Sequence, residues 1–410
     1  MLDKVLQLKN NKNSVSEFLD AVRQGIPSAA FGVTDAFKNF LVSVIPDKVL
    51  LVVKDNITAH FMAEGISELG GKKTVVVPPR DELLLNSKAF SKDSAYARIR
   101  ALSEIDVADV VIATAETLMQ SCPKHIEFLE FIKDTDCNQE KAVEKLVYMG
   151  YGRVDATISS GTFALRGDIL DIYPINSENP VRIDFFGDTI ESIKDFDEET
   201  RQSLGFKDTV KVLQATEWTF DSEEIDCFKH AVSEDLKNAN RERKIRLRVL
   251  ADDMEVAIEN ANSDGMIPLS VLSENNGSIF DYLPSNTVVV IDEAKRVYDL
   301  ALLNETEFNE RFKALFEAGE VFSFAKNNFS GVESLTEKIK KFRTVALQAL
   351  STAIPFFNPL KIINLECSGI ADYQLDFKEI FTDINNWLKS GYCVVVCTAN
   401  QKRAESFNFD

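Results

Sequence analysis

The sequence predicts an α/β protein: a parallel-sheet domain, an α+β domain inserted into it, and a further small α/β domain behind. Three observations predict this. In the first 120 residues short, wholly apolar runs alternate with helical patterns, the mark of a parallel sheet covered on both faces. Between residues 153 and 215 the texture changes to period-two alternation broken by turns, which is how antiparallel hairpins read. An apolar strand leading into a helix then returns near residue 288, and again beyond residue 344. The chain of 410 residues is long enough for two or three domains at roughly 150 residues each.

Taken in order, Val49–Val53 is a buried strand followed by the helical pattern Thr58–Leu69. Thr74–Val77 is β-branched and stops at Pro78-Pro79. Tyr96–Leu102 is helical, Val107–Ala113 is another buried strand, and Thr114–Met119 opens a helix. Residues 125–150 read as two short helices, and residues 153–215 as hairpins turning at Gly161, Gly167, Asn176–Pro180 and Gly187-Asp188. Residues 222–262 are helical and charged. Thr287–Ile291 is a buried strand, and 300–340 are mostly helical. Lys361–Leu365 and Tyr392–Thr398 are strands around the helix Phe377–Leu388. The expected domains are therefore 1–122, the insert 123–215, the second part of the first domain 216–343, and the small domain 344–410. The last unit stops at Asp410 as a helix opens, so the chain reads as part of a longer polypeptide.

Composition excludes several classes. With 45% apolar and 27% charged residues the chain has material for real cores. No apolar run approaches the ~18 residues needed to span a bilayer, and no signal peptide is visible, so no membrane partner and a cytoplasmic location are expected. Lys+Arg 46 against Asp+Glu 65 gives −19, which disfavours unspecific nucleic-acid binding. The basic run Lys237, Arg241, Arg243, Lys244, Arg246 and Arg248 is interleaved with Glu234, Asp235 and Glu242 and reads as a solvated helix face rather than a DNA site. Six cysteines without a CxxC pair, and three histidines, predict reduced thiols, no disulfide framework and no metal site.

Two stretches approach nucleotide chemistry and miss it. A phosphate loop is Gly-x-x-x-x-Gly-Lys-Ser/Thr. Aligning Gly32 with its first glycine puts Phe37 at the second, Lys38 at the lysine and Asn39 at the Mg²⁺-binding hydroxyl. A phenylalanine occupies the space where backbone N–H groups would close on phosphate, and Asp35 adds a negative charge there. The expectation is a degenerate loop that keeps its fold and has lost its ligand, so no cofactor is expected. Val288–Ile291 followed by Asp292 and Glu293 resembles the strand that presents Mg²⁺-linked carboxylates in helicase ATPases. Beside a failed phosphate loop the pair is expected to be inherited rather than catalytic, and no catalytic residue is expected.

The most specific stretch runs from Tyr151-Gly152-Arg153-Val154-Asp155 through Gly161–Pro174 (GTFALRGDILDIYP) and Pro180–Ile193 (PVRIDFFGDTIESI) to Phe196–Ser203. It closely resembles the inserted domain shared by the bacterial transcription-repair coupling factors and the excision-repair helicase subunit UvrB. The weaker similarities flank it in the right order, and together they cover about residues 15–300. The failed phosphate loop, and the absence of a tyrosine cluster after Pro78-Pro79 in Arg80–Asn86, set the chain apart from the helicase and toward the N-terminal region of the coupling factors.

The resemblance implies a degenerate helicase-type α/β domain carrying an adaptor that binds the damage-recognition ATPase UvrA and brings it to a stalled RNA polymerase. It also implies that RNA polymerase, double-stranded DNA, ATP and Mg²⁺ are handled by regions of the full-length protein not present here, and that another part of the protein can mask the adaptor. An active UvrB-like helicase is the alternative. The residues agree with an adaptor. On Val181–Phe186 alternation puts Val181, Ile183 and Phe185 on one face and Arg182, Asp184 and Phe186 on the other. Arg166 projects from the neighbouring strand on the same side as Ala164, so Arg166, Arg182 and Phe186 are the expected partner-binding set. One departure from the helicase is that Ser160 and Ala164 stand where it carries arginines.

Overall fold

The computed structural model describes residues 13–81, 83–84, 92–155, 159–259, 271–365, 367, 377–392, 394 and 396. Its larger sheet holds seven parallel strands in the order β17-β1-β16-β15-β2-β4-β3. These are β1 (Ser28–Phe31), β2 (Val49–Val53), β3 (Thr74–Val77), β4 (Val110–Thr114), β15 (Val288–Asp292), β16 (Arg343–Gln348) and β17 (Lys361–Asn364). The central strands read as unbroken apolar runs because both faces are covered. Leu50, Val52, Val111, Ala113, Val289 and Ile291 pack on one face with Leu102, Leu118, Val297 and Leu335 from the helices. Leu51, Val53, Val110, Ile112, Val288 and Val290 pack on the other with Phe18, Leu41, Met62 and Ile66. The helices concerned are α1 (Asn13–Arg23), α2 (Asp35–Ser43) and α3 (Asn56–Gly70) on the second face. On the first are α4 (Lys92–Glu104), α5 (Ala115–Met119), α9 (Ala294–Ala318) and α10 (Val332–Ile339).

This topology corrects one boundary. The expected break at 344 falls inside β16, which lies between β1 and β15 at the centre of the sheet, and β17 closes its edge beside β1. Residues 343–364 therefore complete the first sheet instead of starting a new domain. Parallel pairing joins strands far apart in sequence, so local pattern shows that a strand exists but not which sheet it enters. Helix α11 (Phe377–Lys389) follows, and most of the expected strand Tyr392–Thr398 lies outside the described residues.

The chain leaves the parallel sheet at β5 (Cys122–Pro123) and returns at β14 (Asn276–Gly277), and these two segments pair with each other. Between them lies the insert. Strands β7 (Gly152–Arg153), β8 (Thr162–Arg166), β9 (Ile169–Tyr173), β10 (Val181–Phe186), β11 (Thr189–Phe196) and β12 (Ser203–Lys207) form a six-stranded sheet in sequence order. It is antiparallel apart from the β7–β8 pair. The first of the two helices expected over 125–150 is instead strand β6 (Phe128–Ile132), paired with β13 (Thr209–Leu213) so that the ends of the insert meet; the second is α6 (Gln139–Tyr148). Phe163, Leu170, Ile172, Ile183 and Phe185 form the insert's core with Leu146 of α6, and Tyr96 and Ile99 reach into it from α4. Helices α7 (Ser222–Asn238) and α8 (Arg241–Glu259) make a separate apolar pair around Phe228, Leu247 and Phe322.

The insert is pinned to the larger sheet by buried charge. Glu217 accepts from Arg98 Nε at 3.1 Å and pairs with Arg80; all three side chains are buried. Burial works against the Glu217 carboxylate, but the two guanidinium groups outweigh it and hold its pKa below the ordinary range. Arg100 adds a hydrogen bond to the Ile175 carbonyl at 2.6 Å.

Candidate functional site

Two places carry the residues singled out by the sequence: the mouth of the larger sheet and the outer face of the insert. At the first, α2 begins at Asp35, directly after the turn Gly32–Thr34. A phosphate loop needs an open ring of backbone N–H groups in this stretch. Here residues 35–37 are already helical, and the Lys38 amide donates to the Thr34 carbonyl. Gly32 has φ +74°, and the Leu365 carbonyl lies against it, 2.3 Å from where a Cβ would stand. Phe37 stacks on Phe40 with ring centroids 5.4 Å apart. Asn39 is buried against Gly65 of α3.

Lys38 is buried in the wall of a cavity of about 470 Å³ that Asp292, Glu293 and Arg296 also line. Its ammonium crosses the line of β16 to the carboxylates at the end of β15, 2.7 Å from Asp292 and 2.7 Å from Glu293, with 3% of its side chain exposed. Burial works to lower its pKa; the two carboxylates overcome that and hold it above its ordinary value. Glu293 sits in the left-handed region at φ +51° as α9 starts, and its carboxylate also accepts from the Ala349 amide at 2.8 Å. The structure therefore brings Lys38, Asp292 and Glu293 together in a buried salt-bridged cluster, while Gly32, Phe37 and Asn39 pack against Leu365, Phe40 and Gly65. Two features stand against a Mg²⁺–triphosphate here: the helix already starts at Asp35, and an amide, Asn39, stands where the metal-binding hydroxyl would be.

The insert's outer face is built by register. Directly opposed residues share a face. Asp171 of β9 lies opposite Arg182 of β10, which lies opposite Lys194 of β11. In the next row Arg166, Ile169, Asp184 and Ser192 stand in line. Arg182 holds Asp171 with two hydrogen bonds, Nε to Oδ1 at 2.6 Å and Nη2 to Oδ2 at 2.9 Å, and Arg166 Nη2 approaches the same carboxylate at 3.5 Å. Hydrogen bonding to Asp171 is the largest cause that raises the Arg182 pKa. The Arg182 guanidinium also lies 5.1 Å from the Phe196 ring centroid. Lys194 pairs with Asp184 at 2.8 Å.

Val181, Ile183 and Phe185 are buried while Phe186 is 80% exposed at the hairpin, so the predicted alternation holds through the strand. The two arginines converge as expected, but they converge on Asp171, which the sequence reading missed. The signal was present: Asp171 interrupts the apolar run Ile169–Ile172, and counting the hairpin through Pro180 sets it across from Arg182. The basic run on α8 is partly structural. Arg243 stacks on Phe316 at 3.5 Å, and Arg246 donates to the Ala318 carbonyl at the C-terminus of α9.

Residues 129–218 match the family described as the UvrB interaction domain. The insert is thus similar to a UvrB-type interaction domain, set in an α/β chain consistent with a helicase-like fold. Over its whole length the chain is similar to the transcription-repair-coupling factor of Bacillus subtilis strain 168, with 22% identity over 428 residues, covering 99% of this chain and 36% of that protein. The corresponding protein of Staphylococcus epidermidis (RP62A) is 27% identical over 279 residues, covering 66% of this chain and 23% of its own length. That of Staphylococcus aureus (RF122) is 25% identical over 280 residues, with the same coverages. The chain matches the N-terminal region of the transcription-repair-coupling factors, and spans about a third or less of the length of these relatives.

Proposed function

We propose that the chain is a non-catalytic adaptor of transcription-coupled nucleotide excision repair, docking the damage-recognition ATPase UvrA and recruiting it to a stalled RNA polymerase. ATP, Mg²⁺, double-stranded DNA and RNA polymerase are then the business of regions of a longer protein acting in the cytoplasm. Among the described residues no helix is long and apolar enough to cross a membrane. The observation that carries the reading is Phe186, a large aromatic side chain left in solvent on the same strand face as Arg182, in a segment that matches the UvrB interaction domain. An exposed aromatic next to arginines has the composition of an interface hot spot.

Asp171 gives the arginines a defined role. By fixing Arg182 at two points it presents the guanidinium in one orientation, at a smaller entropic cost on binding than a free side chain pays. Arg166, 55% exposed and held at one point, keeps more donors for a partner's carboxylates.

Binding of the full chain to purified UvrA, followed calorimetrically, tests the reading. Phe186→Ala or Arg182→Ala is expected to weaken binding by about 1–3 kcal/mol with the thermal melt of the Phe186 variant unchanged. Wild-type affinity in both variants would refute the site. Saturable micromolar binding of a fluorescent ATP analogue would instead support the helicase reading.

A further inference from the structure

We infer that the edge strand β12 belongs to the same partner face, with Phe206 and Leu204 as a second apolar anchor beside Phe186. The inference rests on the reading of the insert as a docking domain. Register places Phe206 directly opposite Lys194. The row Asp171–Arg182–Lys194–Phe206 thus crosses four strands on one face, and Leu204, two residues back, is the extra residue of a bulge in the same edge strand.

Phe206 is 76% exposed and Leu204 55%. Among the described residues β12 pairs with β11 alone, so its other edge is open. Proteins ordinarily blunt such an edge with charge or cover it. The one charge on β12 itself, Lys207, is paired with Asp195 at 2.7 Å, while aromatic and aliphatic side chains stand in the open. Apolar groups placed so want a partner.

The dimensions suit one contact. Two strand spacings separate Phe206 from Arg182, about 10 Å, and four residues along β10 separate Arg182 from Phe186, about 13 Å. The diagonal of roughly 16 Å lies well inside the ~800 Å² that one partner contributes to a standard interface.

Charge selects the occupant. On these rows Arg166, Arg182 and Lys194 stand against Asp171 and Asp184, and Arg201 lies 5.5 Å from the Phe196 ring, so the rows are not acidic on a chain of net charge −19. A partner surface with apolar side chains ringed by carboxylates complements it. A second copy of this chain does not, since two-fold pairing sets the same cations against one another.

The test compares Phe206→Ser and Leu204→Ser/Phe206→Ser with Phe186→Ala and wild type, using the full chain and purified UvrA, with thermal melts as the fold control. Each β12 variant is expected to lose at least tenfold in affinity at an unchanged melting temperature, with Phe206→Tyr close to wild type. Phe206→Ser binding like wild type while Phe186→Ala is weakened overturns the inference and leaves the docking reading standing. Wild type failing to bind overturns the docking reading itself. A concentration-dependent dimer in sedimentation, abolished by Phe206→Ser, assigns β12 to a second copy and overturns the inference as well.

Discussion

Lys38 shows how a residue type can be kept while its chemistry is reversed. A phosphate-loop lysine faces a ligand's negative charge; this one is sealed against Asp292 and Glu293. Removing one partner of a buried ion pair leaves an uncompensated charge, so Lys38→Met is expected to destabilise the chain by about 3 kcal/mol in urea titration. The pH dependence has a definite sign. The folded pKa of Lys38 is raised, so its contribution is complete below the unfolded value of about 10.4 and is lost as pH climbs through the higher folded value. Stability curves of wild type and Lys38→Met are therefore expected to converge in strong alkali and stay apart at neutral pH. Curves that remain parallel would remove the ion pair from the account. The motif alone gave the expectation that Lys38 serves no nucleotide, because Phe37 and Asn39 flank it. The carboxylates it meets were read in the sequence as a separate feature, since Asp292 lies 254 positions after Lys38.

At the level of the element, two joints decide whether the pieces hold. The first is the turn from β1 into α2. Gly32→Ala puts a Cβ 2.3 Å from a backbone carbonyl at a left-handed φ, and neither atom can swing aside. Gly71, at φ +60° after α3, has nothing within 4 Å of the same added carbon. Gly71→Ala is expected to cost only the left-handed strain, roughly 1–2 kcal/mol, and Gly32→Ala distinctly more. Equal losses in parallel melts would show that the Leu365 contact is dispensable. The second joint is Glu217 between Arg80 and Arg98. Glu217→Gln leaves two buried guanidinium groups without a counter-charge and is expected to cost about 3 kcal/mol. Because the Glu217 pKa is depressed, its contribution is present above the unfolded value of about 4.3 and disappears as pH falls through the folded one. The variant is expected to lose that acid limb and to show faster hydrogen exchange where α4 meets the insert. The helices and most strands were legible, since their apolar periodicity is local. The misreading of Phe128–Ile132 as a helix has a plain cause: a five-residue apolar run is ambiguous until β13, some eighty residues later, pairs with it.

For the molecule as a whole, the larger α/β domain carries the insert. Its sheet is completed by β16 and β17, which come from a stretch that reads as a new unit, and at its mouth Lys38 is paired with Asp292. Repairing the motif on paper should therefore not repair the function. The double variant Phe37→Gly/Asn39→Thr is expected to show no saturable triphosphate binding in equilibrium titration, because α2 already occupies the loop and Lys38 stays bound to β15. Tight Mg²⁺-dependent binding by that variant would mean that two side chains alone had disabled the site. The basic run on α8 fits the same picture, since Arg243 and Arg246 are engaged by α9.

The sequence by itself determined the α/β class, the place of the insert, the departure of residues 32–39 from the phosphate-loop pattern and the outward pointing of Arg182 and Phe186. Each of these depends on residue identity and on spacings of a few positions, where steric rules and period-two alternation act directly. Tertiary structure alone decided that Arg166 and Arg182 share Asp171, that Lys38 neutralises the β15 carboxylates, that residues 343–364 belong to the first sheet, and that Phe206 stands in line with Arg182. These are contacts between segments brought side by side by strand register and parallel crossover. Their energies come from burial and charge pairing at short range, which depend on distance in space and not on distance along the chain.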